Sequence, residues 1–303
     1  MADDERTGLG YHPLGIHDID PRVAEVTHSF VEQAPELPVH VHKILKIVSD
    51  FESDAKEISK LASSDPVLAS KILKGVNSAY YSPSKKIDDL HLAIVLLGYG
   101  EIRKLAIQCG LSQPLRQIYN TRDIWEHSYL VSVCAENIGF SLDKERAGVF
   151  LTCGILHDIG KFILSNPLFD AYISRTGALT TRKTKDVSWI EKEDLGYGIN
   201  HMIIGRLLGE KWGLSEKLCA VMEYHHHPSL CHPDSVPSEH SREIAVVCLA
   251  DLIVNRIFKT GLPTVPEKRW FDLVGLKYPA EENITQELTN KLEKAKSFLL
   301  YID

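Results

Sequence analysis

An adjacent histidine and aspartate close an apolar run in the middle of this 303-residue chain. The stretch AGVFLTCGILHDIGKFIL ends that run at His157 and Asp158, with Lys161 just behind them. A buried carboxylate needs a cation, a metal ion or several hydrogen-bond donors, because its burial alone is unfavourable. Asp251 also needs such a partner, since it lies within the apolar segment IAVVCLADLIVNRI. Its partner is predicted to be either a metal ion or a lysine or arginine side chain.

Histidines are numerous, 14 in all, and several lie where neighbouring elements can bring them together. Asp123 and His127 are four residues apart, so on a helix both side chains point from one face. His201 opens the segment HMIIGRLLGEKW, and His225 and His226 lie in the run YHHHP. Adjacent histidines diverge by about 100° on a helix, so both reach one centre only near a helix end or with a metal ion between them. Imidazoles and carboxylates converging from several elements predict a divalent-metal centre.

The elements that must position these residues are helical, because helical periodicity is widespread and strand patterns are weak. Amino-terminal helices are predicted at residues 39–51, 55–62, from Asp65-Pro66 onwards, 90–97 and 101–109. A second set is predicted to begin near Thr121 and to cover residues 144–156, 199–212, 215–224 and 242–258. Residues 165–188 are predicted to be a surface excursion and 261–279 to be irregular, before a helix at 281–300. The sequence therefore predicts an all-α chain with a boundary near residue 118.

Composition narrows the class of protein and its partners. A net charge of −7, without a block of Lys and Arg, argues against duplex nucleic acid as a partner. The start MADDERTGLG is acidic and no apolar run approaches the roughly 20 residues of a membrane span, so we expect a cytoplasmic protein with no membrane contact. Six scattered cysteines without a CxxC pair are predicted to be reduced core thiols: Cys109, Cys134, Cys153, Cys219, Cys231 and Cys248.

The order of the candidate ligands resembles the HD superfamily of metal-dependent phosphohydrolases. Its signature residues here are His127, the doublet His157-Asp158 and the distal Asp251, and the resemblance implies that these four hold one divalent metal ion. LPVHVHKILKIV, SSDPVLASKILKGVNSAYYS and LHLAIVLLGYGEIRKLAI resemble the amino-terminal helices of an HDOD domain. GILHDIGK, GINHMIIGRLLGEKWGL and YHHHP resemble its HD half.

The HDOD resemblance covers about residues 34–228, and the Asp251 helix continues it. It implies a multi-helical fold in which an amino-terminal helical subdomain, residues 22–118, packs on an HD-type metal-binding subdomain, residues 119–260. An irregular segment and a helix would follow at 261–303.

The ligand pattern is also similar to that of the HD-GYP phosphodiesterases of cyclic dinucleotides. This similarity implies a two-metal centre completed by Asp123, His201, His225 and His226, with a bridge at His157, Asp158 or Asp251. Asp123 stands where those enzymes commonly have a glutamate. Lys161 matches the lysine of their HDxGK motif and would either meet a phosphate oxygen beside a metal-activated water or cover apolar surface with its stem. The GYP triplet is absent, because SLCHPDSVP follows YHHHP.

Two functions follow from the resemblance. HDOD proteins are mostly bacterial signalling modules, so we expect a regulatory protein that keeps its HD metal site and acts on a signalling protein. The alternative is an active metal-dependent phosphohydrolase or phosphodiesterase that takes a phosphorylated small molecule, a nucleotide or a cyclic dinucleotide, with Lys161 and Asp158 as catalytic residues. Nitrogen and oxygen ligands suit one or two ions of iron, manganese, zinc, nickel or cobalt.

Overall fold

The fold is helical throughout the part of the chain that the computed structural model describes. That part comprises residues 11–36, 43, 62–63, 65–115, 122–178, 189–260 and 264–302. No strand occurs within these ranges, so the predicted all-α class is confirmed. The predicted helix at 39–51, most of that at 55–62, the start at Thr121 and the boundary near residue 118 lie outside the described residues.

The amino-terminal half contains three described helices: α1 (Pro21–Gln33), α2 (Pro66–Val76) and α3 (Leu90–Leu115). Asp65 caps α2 as predicted, since its carboxylate accepts hydrogen bonds from the backbone N–H groups of Val67 and Leu68. Gly98 interrupts α3 with a φ of 77°, a conformation that glycine adopts without strain. This break separates the two helices that the sequence predicts there.

The helices of the second half follow in chain order: α4 (Arg122–Leu142), α5 (Ala147–Leu156), α6 (Lys161–Leu164), α7 (Pro167–Arg175), α8 (Trp189–Tyr197), α9 (His201–Lys211), α10 (Glu216–Tyr224), α11 (His227–Leu230) and α12 (Ser241–Phe258). Helix α5 lies at the centre of this half, packed against α4, α10 and α12. It is apolar on all sides, as expected of a helix surrounded by other helices. Its carboxyl end therefore delivers His157 and Asp158 into the interior.

One stretch of the described chain, Lys144–Leu164, has the length and apolar composition of a membrane-spanning helix. The expectation that no apolar run approaches this length is therefore wrong. Of its most apolar window, 83% is buried inside the fold. The neighbouring helices cover α5, so its apolar character is that of a core helix.

Short helices occur both in the predicted surface excursion at 165–188 and in the segment at 261–279 that is predicted to be irregular. Helix α7 buries Phe169 and Ile173, which are one helical turn apart. Helix α13 (Lys268–Leu273) buries Trp270 and Phe271. A few buried apolar side chains stabilise a helix of this length through tertiary packing, and the local sequence of so short a helix does not reveal that packing.

The carboxyl-terminal helix α14 (Gln286–Ile302) joins the two halves, because it packs on both α2 and α4. Helix α1 packs against α7 and α9 of the second half, although the predicted amino-terminal subdomain begins at residue 22. The division into 22–118, 119–260 and 261–303 stays a prediction. All six cysteines are buried and form no disulfide, as expected of core thiols.

Candidate metal centre

Five helices bring all the predicted ligands except Asp123 to one place in the second half. His127 lies in α4, and His157 and Asp158 follow the last turn of α5. His201 is the first residue of α9. The other members come from the end of α10 and the middle of α12: His225, His226 and Asp251. Helix α10 ends at Tyr224, and His225 and His226, which lie just beyond that end, each offer a nitrogen to the same group.

Asp158 stands at the centre of the arrangement, and its two carboxylate oxygens face different sets of histidines. Oδ1 lies 3.2 Å from Nε2 of His201 and 3.7 Å from Nε2 of His225. Oδ2 lies 3.3 Å from Nε2 of His157 and 3.8 Å from Nε2 of His127. One carboxylate thus contacts both sets, which is the placement of a bridging ligand.

The two sets are compact enough to hold metal ions. The ligand atoms of the first set lie within 4.8 Å of one another, as do those of the second. We call them the His201 group (Asp158, His201, His225 and His226) and the His127 group (His127, His157 and Asp158).

Asp251 adjoins the His127 group, since its Oδ1 lies 2.9 Å from Nε2 of His127. The side-chain amide of Asn255 donates a second hydrogen bond to the same oxygen, at 2.7 Å. Among the described residues its close partners are therefore a histidine and an asparagine rather than a lysine or arginine. Burial raises the pKa of Asp251, but the contact with His127 outweighs it and lowers that pKa below 3.8.

Hydrogen bonds of Nδ1 fix the tautomers of two buried histidines. Nδ1 of His157 lies 2.7 Å from the carbonyl oxygen of Gly154, and Nδ1 of His225 lies 3.0 Å from that of Met222. A carbonyl oxygen only accepts, so each Nδ1 carries the hydrogen and each Nε2 presents its lone pair. Such a hydrogen bond is the usual partner of a histidine that binds metal through Nε2.

The inward atoms lack the donors that they need. Within the described part of the chain, Nε2 of His157 and Oδ1 of Asp158 have no hydrogen-bond partner, although both are buried. Nε2 of His201 lies 3.3 Å from Nε2 of His225, so either a proton or a metal ion has to lie between the two nitrogens. Buried acceptors without donors are rare in native proteins, and a metal ion would satisfy all four atoms. The donor set therefore fits divalent metal ions.

Lys161 contacts the centre from its edge. Its Nζ lies 2.6 Å from Oδ2 of Asp158, and 30% of its side chain is exposed. Burial acts to lower the pKa of Lys161, but the carboxylates of Asp158 and Glu193 outweigh it and raise that pKa above 10.5. The ammonium group therefore keeps its charge.

Asp123 is the predicted ligand that the structure leaves apart. It is exposed in the first turn of α4, one turn before His127, and belongs to neither group. Its role as a ligand stays a prediction. Glu193, which the sequence analysis did not select, contacts His201 through its carboxylate. It lies in a helix whose polar sequence, WIEKEDLGY, gives no sign of a buried carboxylate.

Comparison with known proteins agrees with this architecture. The family model of the HDOD domain matches residues 34–228. The chain belongs to the HDOD family. A 226-residue match to an uncharacterised protein of Treponema pallidum (strain Nichols), 23% identical, covers 74% of this chain and 42% of that protein. The HDOD chain thus spans less than half the length of this relative.

Solved HDOD-type structures share the fold. A Geobacter sulfurreducens HDOD domain protein of unknown function is 20% identical, with a TM-score of 0.63 over 93% of this chain and 95% of that one. A Marinobacter aquaeolei VT8 protein, named a candidate signal transduction protein, is 17% identical, with a TM-score of 0.72 over 94% and 67%. A Shewanella amazonensis SB2B protein, named a candidate phosphohydrolase, is 24% identical, with a TM-score of 0.61 over 92% and 98%. At these identities the likeness establishes the fold.

Buried neutral histidines make the metal-free HDOD protein sensitive to acid. Burial lowers the pKa of His225 and His227 from 6.5 to about 4, and holds that of His226 well below 6.5. The pKa of His201 shifts in the opposite direction, because Glu193 outweighs burial and raises this pKa above 6.5. At His225, His226 and His227 the unfolded chain binds more protons than the native state between pH 6.5 and about 4, so their contribution makes stability fall as pH falls. We expect the urea concentration at the midpoint of unfolding, measured in the presence of chelator, to decrease as the pH is lowered from 7.5 to 4.5.

His227 gives a direct test of this acid effect, because it belongs to neither ligand group. His227→Gln removes one histidine that titrates only after unfolding. The variant is expected to show a shallower decline of the urea midpoint between pH 6 and pH 4.5, with little change at pH 7.5. A decline as steep as that of the parent protein would contradict this assignment.

Proposed function

We propose that this chain is an HDOD signal-transduction protein whose HD half binds two divalent metal ions bridged by Asp158. One observation carries the proposal: the two oxygens of a single buried carboxylate face two separate sets of histidine Nε2 atoms. The His127 group with Asp251 would hold one ion, and the His201 group would hold the other. Iron, manganese, zinc, nickel and cobalt all suit these nitrogen and oxygen ligands.

The signalling class is supported by the family and by the way the halves are joined. The Marinobacter neighbour is named a candidate signal transduction protein. Helix α14 packs on both α2 and α4. A partner protein that binds the amino-terminal half would therefore bind helices that pack, through α14, against the half that contains the metal centre. Metal ions that bind only the native state would stabilise the folded protein by mass action.

A metal titration of the unfolding transition tests the metal-binding function. Each ion present at 100 times its dissociation constant adds about 2.7 kcal/mol to the stability of the native state. The chelated protein is therefore expected to unfold at lower temperature than protein with added Mn²⁺ or Zn²⁺. A melting temperature that neither ion changes would contradict the proposal.

A second candidate function, hydrolysis of phosphomonoesters or phosphodiesters, is favoured by Lys161. A bound divalent ion supplies Lewis-acid activation of water and of a phosphoryl oxygen in such reactions. Lys161 holds a proton and a positive charge beside Asp158, and 30% of its side chain is exposed, so its ammonium group would pair with a phosphate oxygen. The Shewanella neighbour is named a candidate phosphohydrolase.

Hydrolysis of bis(p-nitrophenyl) phosphate and of cyclic dinucleotides separates the two functions. A regulatory protein is expected to bind metal without turnover. A hydrolase is expected to lose about 100-fold in kcat/KM in Lys161→Met, because one electrostatic contact to the reacting phosphate disappears. Both proteins are compared when loaded with equal amounts of metal, so that the loss is not one of metal content.

Lys217→Met is the matched control, since Lys217 is equally exposed, at 29%, and pairs with the buried carboxylate of Glu243 at 3.3 Å. Equal rates in the two lysine variants would exclude a role for Lys161 in turnover.

A further inference from the structure

His201 is held by a carboxylate, unlike the other buried histidines of the centre. Its Nδ1 lies 2.6 Å from Oε2 of Glu193, and its backbone N–H donates to the same oxygen at 2.8 Å. Glu193 projects from α8 and is only 9% exposed. His157 and His225 instead use backbone carbonyl oxygens for this contact. Glu193 thus adds a negative charge to one histidine and to one side of the centre.

The two ligand groups differ in the charge that they contain. The His127 group adjoins Asp251, whose carboxylate reaches His127 at 2.9 Å. The His201 group has Asp158 as its carboxylate, which it shares with the His127 group, beside three imidazoles. Lys161 also pairs with Asp158 at 2.6 Å and brings a further positive charge. A second divalent cation beside these groups needs negative charge nearby, since charges in a buried site interact strongly.

We infer that Glu193 is the positioning residue for the second metal ion, orienting Nε2 of His201 toward the centre and balancing the charge of that ion. This inference rests on the proposed two-metal function. Glu193 supplies negative charge to the His201 group, as Asp251 does to the His127 group. Glu193 contacts the imidazole of His201 and would not bind the ion itself. A carboxylate behind a histidine ligand raises the basicity of the ligand, and its loss weakens metal affinity about 10- to 100-fold.

Glu193→Gln separates charge from geometry. The glutamine keeps a carbonyl oxygen that can accept from Nδ1 and from the backbone N–H of His201, and it loses only the charge. We would titrate chelated protein with Mn²⁺ and follow free ion and spin coupling by electron paramagnetic resonance. The parent protein is expected to bind two ions and to show a coupled pair. The variant is expected to bind one ion with unchanged affinity, to bind the second 10- to 100-fold more weakly, and to lack the coupled signal at two equivalents.

Two further variants control for a structural role of Glu193. Glu243→Gln removes another buried carboxylate, 5% exposed and paired with Arg146, and is expected to leave both Mn²⁺ affinities unchanged. Glu193→Asp keeps the charge and is expected to bind the second ion more tightly than Glu193→Gln. If the two Glu193 variants weaken the second ion equally, the charge is not the cause and the inference is overturned.

The outcomes distinguish this inference from the proposed function. Two ions in the parent protein and two equally tight ions in Glu193→Gln would overturn the role of Glu193 alone. A folded parent protein that binds no Mn²⁺, Zn²⁺ or Fe²⁺ would overturn the two-metal function and this inference with it.

Discussion

Asp158→Asn is expected to abolish tight binding at both metal sites, whereas His127→Gln weakens only one of them. Asp158 is the shared member of both ligand groups, and each of its oxygens faces a different set of Nε2 atoms. Burial raises its pKa, but His157 and Lys161 outweigh burial and hold that pKa well below 3.8, so the ligand is ionised at neutral pH. Removing this charge withdraws a ligand from two ions at once. We expect each dissociation constant to rise at least about 100-fold in a calorimetric titration.

His127→Gln provides the comparison for the Asp158 variant. His127 belongs to one group and is 21% exposed, so its loss is expected to leave the ion of the His201 group in place. The prediction for Asp158 would be wrong if Asp158→Asn retained one tight site. That result would mean that the carboxylate serves a single ion and that the two groups are independent.

Gly160→Ala is expected to destabilise the protein by about 3 kcal/mol and to disturb the His201 group. A Cβ atom at residue 160 would lie 2.0 Å from the backbone oxygen of His201 and 2.7 Å from the backbone nitrogen of Gly205. Both contacts are to the backbone of α9, which cannot rotate out of the way. The extra methyl group therefore has to separate α9 from the start of α6. His201, the first residue of α9, then moves away from Asp158.

Gly196→Ala is the matched control for this effect. Gly196 lies in α8, where an added Cβ would meet nothing within 4 Å. Alanine is the better helix former, so this variant is expected to change stability by no more than about 1 kcal/mol, in the favourable direction. Urea unfolding in chelator compares the two variants. A loss below 1 kcal/mol in Gly160→Ala would show that α6 and α9 can separate without strain.

Helices with strong local signals could be predicted from the sequence. Asp65 followed by Pro66 marks the start of α2, and the break at Gly98 follows from a glycine between two apolar runs. The helices α7 and α13 could not be predicted, because a few buried side chains stabilise them only once neighbouring helices are in place. Local sequence does not contain that tertiary contact.

The candidate site could be predicted in type but not in arrangement. His157-Asp158 after an apolar helix and Asp251 inside another signal buried polar groups that need partners. The sequence left the bridge open among His157, Asp158 and Asp251, and the placement of the Asp158 oxygens favours Asp158. Glu193 escaped selection because its burial arises from the way α8 meets the start of α9, which no spacing in the sequence specifies.

Elemental analysis of protein purified without chelator or added metal tests the two-metal centre most directly. The comparison is the double variant His157→Ala, Asp158→Ala, with circular dichroism to show that both proteins are folded. The two-metal account predicts close to two equivalents of divalent transition metal in the parent protein and less than half an equivalent in the variant. One equivalent or less in the folded parent protein, or the same content in both proteins, would contradict it.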